Sequence, residues 1–486
     1  MTDLTSSFQQ FCDIQNRRQF ITNAGMGLGA AAAGSMALSA RGEQLPVLPH
    51  GCHHQPKAKR VIFLFMAGAP SQLDLFDYKP DLEKLHGKPL PKEISMGQRV
   101  TAMTRGKAQV ICASIFKFAK QGQSGLYLNE LLPHLSKHAD DLCLIKSTHT
   151  DAINHDPGKT FFCTGAEASG RPSMGAWLSY GLGSMNKDLP DFIVLTSAFW
   201  SGKVNVQALY SRLWGTAFLP SKHQGVAFQS VGDPVLFLSN PPGVDRKSRS
   251  KMLELVAKIN QQDRQLTGDP EIQTSIAQQE MAFRMQVSVP ELTDLSKETK
   301  ADMDAYGPDV NKTGSFARNC LLARRMAERD VRFVQLFHRG WDHHSNLPTH
   351  LRGQARDVDQ PIAALLQDLK QRDLLKDTLV VFAGEFGRTT YAQGGVQDRN
   401  NYGRDHHPRC FTTWMAGGGV KGGISYGETD DFCYNIAENP VHIRDLLATM
   451  LHQLGVDHKR LTFPYQGLDH KLTGVVESRI LREILS

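Results

Sequence analysis

Imidazoles and carboxylates recur together in four stretches of this sequence. They are His149 with His155, Asp342 with His343 and His344, Glu385 just after Gly384, and Asp405 with His406 and His407. Each group follows or precedes a short apolar run. One histidine or aspartate beside a strand is ordinarily structural, but four mixed groups on one plan point to a metal site. Imidazole nitrogen together with carboxylate oxygen suits zinc, manganese or iron. Such ions can activate a nucleophile and stabilise an oxyanion.

Strands and helices must bring these groups together. Leu379 to Ala383 is a β-branched and aromatic run that reads as a buried strand, broken at Gly384 so that Glu385 stands just past its C-terminal end. In open α/β sheets, ligands bind at that edge. Arg388 follows three residues later. Ahead of the strand, Ile362, Leu365, Leu366 and Leu369 have helical spacing and predict a helix over 359–376. A first strand over 60–66 runs into the turn from Ala67 to Asp74, which is either an active-site edge or a turn capped by Ser71. Further helices are predicted over 126–139, 174–182, 316–329 and 442–454. Strands are predicted over 142–145, 192–195, 331–337 and 410–415. Residues 79–125 are poorly periodic, and 240–330 read as a charged helical insertion serving as a structural cover. The alternation predicts an α/β three-layer sandwich with a mostly parallel central sheet.

The composition, 41% hydrophobic and 21% charged over 486 residues, is that of a globular protein with room for a large α/β domain. The formal charge of +6 is scattered and gives no reason to expect nucleic acid. Residues 1–40 read as an address. Arg17-Arg18 precedes a Gly/Ala-rich, weakly apolar run, the pattern of a twin-arginine signal with cleavage after Ser39 or Ala40. Export to the periplasm or another extracytoplasmic space follows, with no membrane span after cleavage. Residues 41–59 then read as a linker, 60–475 as the α/β domain and 476–486 as a tail. Beyond the signal seven cysteines remain, without CxxC spacing; most read as buried small hydrophobes, and an exported location permits one or two disulfides, an odd number leaving at least one free.

The helix, strand and acid around 359–387 resemble the alkaline phosphatase and sulfatase superfamily. His155-Asp-Pro-Gly-Lys159, with Thr164-Gly165 beyond, is similar to the sulfatase Cys-x-Pro-Ser-Arg element. Asp342 with His344 resembles the metal-binding Asp and His after a late strand, and His406 or His407 the final metal-binding His. The turn from Met66 to Asp74, Gly-Trp-Asp-x-His, Gly-Glu-Phe-Gly-Arg and Asp-His-His-Pro bring residues 58–475 closer still to a branch of uncharacterised, exported sulfatase-like proteins with a domain of unknown function. There are departures. His155 occupies the nucleophile position, Phe386 stands where a metal-binding His follows the acid, and Ala67 stands where an Asp follows the first strand. One metal, a rearranged site or none is left.

The resemblance implies a metal-dependent hydrolase of a sulfate or phosphate ester. Asp342, His344, Glu385 and His407 would hold the metal, expected as zinc with manganese and calcium as alternatives. His155 would attack the substrate or complete the sphere, kept neutral by a helix N-terminus. Lys159 and Arg388 would bind the anion. The alternative is an exported binding or assembly protein, with a protein partner, that retained the alkaline-phosphatase-like fold without the chemistry.

Overall fold

In the computed structural model, which describes residues 51–197, 206–229, 234–235, 238–240, 243–267 and 270–486, the alternating pattern folds around one sheet. At its centre is β1 (Arg60–Ala67), buried along its whole length because both faces are covered. On one side β1 pairs in parallel with β5 (Phe333–Arg339), then β3 (Phe192–Ser197) and β4 (Val226–Phe228). On the other side it pairs in parallel with β6 (Thr378–Ala383). Next come β9 (Phe411–Ala416), β2 (Cys143–His149) and β10 (Ile424–Tyr426), with β11 (Val441–His442) also on β2. Among the described strands of this sheet only β9 runs antiparallel to its neighbours. The twin-arginine segment falls outside the described residues.

Alternation along β1 sorts its side chains into two layers. Ile62, Leu64 and Met66 join a core built with α5 (Phe316–Glu328) and α6 (Leu347–Gln371). Val61, Phe63 and Phe65 join the opposite core, with Phe161 and Phe162 of α1 (His155–Thr164), Trp177 of α2 (Met174–Leu182) and Leu446, Leu447 and Met450 of α7 (Ile443–Gln453). The expected three-layer α/β sandwich with a mostly parallel sheet is therefore the fold. Each buried large apolar side chain contributes about 1.5–3 kcal/mol, so these two cores hold the strand ends rigidly.

Three local readings differ. The helix expected from residue 359 begins at Leu347 and runs through Pro361. The proline removes one backbone bond, which burial of Leu351, Ala355, Val358, Ile362 and Leu365 outweighs. The helix expected over 126–139 is a strand, Leu126–Asn129, followed by a 3-10 turn over Leu135–Asp141. Pro133 lies between them and disfavours helix at Leu132. The helical stretch 240–330 divides. The helix α3 (Arg246–Thr267) packs on α4 (Pro270–Thr293), and α4 adds Met285, Val289 and Leu292 to the core that α5 shares with the sheet. Among the described residues, no helix is long and apolar enough to cross a membrane.

Candidate metal centre

The strands β1, β5 and β6 are parallel neighbours, so their C-terminal ends share one edge. Past those ends come Ala67-Gly68, Gly340-Trp341-Asp342 and Gly384-Glu385. Because β9 is antiparallel, its start lies at the same edge, and β8 (Gly403–His407) leads into it. The end of β2 is there too, and the chain passes from it into His155, the first residue of α1. Five separate segments thus deliver their polar groups to one place.

Close backbone approach makes this convergence possible. Gly68 has φ +115°, and a Cβ on it would stand 2.6 Å from Asp342 N and 2.7 Å from Trp341 N. We expect Gly68→Ala to destabilise the fold by about 1–3 kcal/mol and to displace Asp342. Urea denaturation gives the first effect and metal titration the second; a variant with unchanged midpoint and affinity would refute the tight-turn account.

Four side chains meet at this edge: His155, Asp342, His344 and His406, each with a ligand atom within 4.8 Å of every other. Asp342 Oδ1 is the hub. It lies 2.8 Å from His344 Nε2, 3.1 Å from His155 Nε2 and 3.5 Å from His406 Nε2. All three imidazoles turn Nε2 inward and Nδ1 outward. Their Nδ1–H groups donate to Glu385 Oε1 at 2.6 Å (His155), to Ile153 O at 2.8 Å (His406) and to the Gln393 side-chain oxygen (His344). That arrangement fixes the tautomer that offers a lone pair at Nε2, as acceptors behind metal-bound histidines do. The Nε2 atoms of His344 and His406 face each other at 3.1 Å, which needs a proton or a cation between them. His155 Nε2 is buried without a hydrogen-bond partner, since its approach to Asp342 is off-line. A tetrahedral ion with bonds of about 2.0–2.2 Å would hold its donors roughly 3.4 Å apart. The residues present therefore fit a metal ion. Three nitrogens and one oxygen suit zinc and do not suit calcium, which takes oxygen ligands.

Electrostatics around the hub are steep. Burial alone would raise the Asp342 carboxyl, but the Arg388 guanidinium and contacts with the three imidazoles hold it far below the usual range. Burial disfavours charge on His155, yet its contacts with Asp342 and Glu385 win and raise it. Burial lowers His406 to about 4, the contact with Asp342 notwithstanding, and repulsion from Arg388 acts in the same direction. The helix N-terminus expected to favour neutral His155 is thus opposed by two carboxylates, which raise its pKa.

The residues singled out in the sequence fall as follows. Asp342 and His344 are in the cluster, and His155 is in it as a donor rather than aimed outward as an attacking group. Glu385, fully buried, stands one step behind, accepting from His155 Nδ1 and from Gly68 N at 2.9 Å. His407 is turned away. It donates to Tyr434 O at 2.7 Å and stacks on the Tyr434 ring at 4.3 Å. Neighbours on a strand point to opposite faces, so only one of His406 and His407 can face the site; His406 pairs across from Arg388 and does. Arg388 is no free anion binder. Its donors go to Ala69 O, Arg404 O, Gly68 O and Asp342 Oδ1, the last at 2.7 Å. Lys159 Nζ, buried and with its pKa lowered by that burial, donates to Ala208 O at 2.5 Å. Gln207, which the sequence did not single out, donates to Asp342 Oδ2 at 2.9 Å. No spacing marks it. Phe386 packs its ring against those of His155, at 5.0 Å, and His406, at 4.7 Å. Ser71 is bound up at 2.5 Å with Asp74, and Asp405 accepts from Thr101 and Thr104, so these are structural.

A family described as "Protein of unknown function (DUF1501)" matches residues 58–485, from before β1 to beyond α7. The chain belongs to this family. No curated protein matches it. Among solved structures, it is similar to a protein in the alkaline phosphatase superfamily from Vibrio parahaemolyticus, with 11% identity, TM-score 0.36, and 87% of this chain and 75% of that chain covered. A lipoteichoic acid synthase from Listeria monocytogenes is similar at 10% identity and TM-score 0.34, covering 89% and 78%. So is a phosphonate monoester hydrolase from Silicibacter pomeroyi, at 12% identity and TM-score 0.33, covering 88% and 76%.

Proposed function

We propose that this chain is an exported, metal-dependent hydrolase of a sulfate or phosphate ester, with a single zinc ion held by His155, Asp342, His344 and His406. The observation that carries the metal reading is the set of three inward Nε2 atoms, each with its Nδ1–H tied to an acceptor behind it. When bound, such an ion supplies Lewis acidity towards an oxyanion. The chain's own residues orient and neutralise. Arg388 and Gln207 hold the two oxygens of Asp342, and Glu385 orients His155. Lys159, one turn along α1 and buried, would lend positive charge for an anion. Export through the Arg17-Arg18 segment is part of the same proposal and rests on the sequence pattern.

A second reading, an exported binding or assembly protein, is favoured by one observation. The four protein donors would by themselves fill a four-coordinate sphere, which is the habit of structural rather than catalytic zinc. One experiment separates the readings. Purified protein is assayed for metal content and, with zinc or manganese supplied, for release of p-nitrophenol from the phosphate and sulfate esters. Stoichiometric metal with turnover that His344→Ala removes supports the hydrolase. Stoichiometric metal without turnover supports the binding protein. Absence of metal after incubation with zinc, manganese and iron overturns the hydrolase.

A further inference from the structure

A second chemical cluster lies behind the metal centre and takes no part in it. Cys410, just ahead of β9, and Cys433 are both fully buried. The Cys410 thiol donates to the Cys433 backbone carbonyl at 3.5 Å, so the two residues are in direct contact. The His407 imidazole, turned away from the metal cluster, sits beside Cys410. Cys433 in turn donates to Asp77 Oδ2 at 3.2 Å and adopts φ +52°. Gln72 Nε2 contacts Cys433 Sγ at 3.7 Å and also donates to Arg388 O at 2.8 Å.

We propose that Cys410 and Cys433 form a peroxide-oxidisable dithiol, with Cys410 the attacking sulfur and Cys433 the resolving one. An imidazole beside one sulfur and a carboxylate beside the other divide the two roles, the first favouring thiolate and the second accepting a thiol proton. Among the described residues, Cys112 instead contacts Ala113 O and Cys163 the Gln335 amide. Burial pushes Cys112 up to about 11 and Cys143 and Cys163 up to about 12. Burial opposes thiolate at Cys410 as well, but the Cys433 hydrogen bond and the nearby imidazole bring it down to about 7. Hydrogen peroxide is close to water in size, so local opening suffices to admit it.

The chemistry balances. Cys410 thiolate attacks one peroxide oxygen, the O–O bond breaks, and hydroxide leaves and takes up the proton Cys410 released, forming water. Cys410 is now a sulfenic acid. Cys433 gives its proton to Asp77 and attacks the Cys410 sulfur. The S–O bond breaks, and the departing hydroxide takes the proton back from Asp77 as a second water. Two thiols have lost two electrons and one peroxide has gained them.

The test uses the reduced full-length protein treated with equimolar hydrogen peroxide. The expected result is the loss of two thiols, an intact mass lower by about 2 Da, and a non-reducing peptide map linking Cys410 to Cys433, all reversed by dithiothreitol. Cys433→Ser should stop at a sulfenic acid on Cys410 that dimedone traps, and Cys143→Ser should behave as wild type. The wild-type map needs no variant to fold. A disulfide between other cysteines, seven unchanged thiols beyond the signal, or oxidation confined to Cys52, the exposed thiol, would each overturn the proposal. None of these outcomes depends on metal or on ester turnover.

Discussion

Asp342→Ala is expected to abolish stoichiometric metal binding while leaving the sheet folded. Asp342 supplies the only carboxylate oxygen among the four donors, and its Oδ1 lies within 3.5 Å of the Nε2 atom of all three imidazoles. Its loss removes a charged ligand and also leaves the buried Arg388 guanidinium facing an incoming cation. Stranding a buried charge costs about 3–5 kcal/mol, which corresponds to ~10²- to 10⁴-fold in affinity before the lost bond is counted. Glu385→Gln should have a smaller effect, about 10- to 100-fold, since Glu385 acts through His155. His406→Ala should weaken binding as a donor does, and His407→Ala should leave it unchanged. Metal content after dialysis and calorimetric titration measure all four. Full occupancy in Asp342→Ala, or equal losses in His406→Ala and His407→Ala, would rule out the assigned donor set.

The contrast between His406 and His407 shows where sequence reading stops. Strand runs such as 379–383, rich in β-branched residues and bounded by glycine, are legible because burial on both faces demands apolar side chains throughout. The positions of Asp342 and Glu385 past strand ends were legible for the same reason. Which of two adjacent histidines faces inward depends on the register of β8 against β7 (Gly387–Gln393), where a bulge between Arg404 and His406 shifts the pairing. No local pattern encodes that shift. The role of Arg388 was illegible for a related reason. A cation three residues from an acid looks free in sequence, yet its acceptors are backbone carbonyls of Gly68, Ala69 and Arg404, brought in by other segments. Gln207 carries no marker at all, because one amide on an irregular segment acquires meaning only from the carboxylate it meets.

The second large effect is expected at a pair with no metal contact. Arg404 on β8 and Asp74 in the turn after β1 are both wholly buried and joined at 2.7 Å and 3.2 Å. Arg404 also donates to Thr389 O and Thr390 O at 3.1 Å, and Asp74 accepts from Ser71 and Tyr402. Burial alone would raise the Asp74 carboxyl, but Arg404 and the hydroxyl donors hold it below its usual value. A carboxyl lowered in this way stabilises the fold above its unfolded-state pKa, near 4, and that stabilisation is lost as pH falls through the folded-state value. Asp74→Asn keeps the shape and strands the guanidinium, so it should cost about 3–5 kcal/mol in urea denaturation at pH 7. The deficit against wild type should narrow in acid, where Asp74 itself becomes protonated. A paired change, Asp74→Leu with Arg404→Met, removes both charges and should recover much of the loss. Because Arg404 lies two residues before His406, the single variant should also loosen the metal donor on that strand, whereas Ser71→Ala, which leaves the ion pair intact, should not. An Asp74→Asn protein with the wild-type urea midpoint would show that the pair contributes nothing to holding β8 against the turn, and the position of His406 would then need another cause.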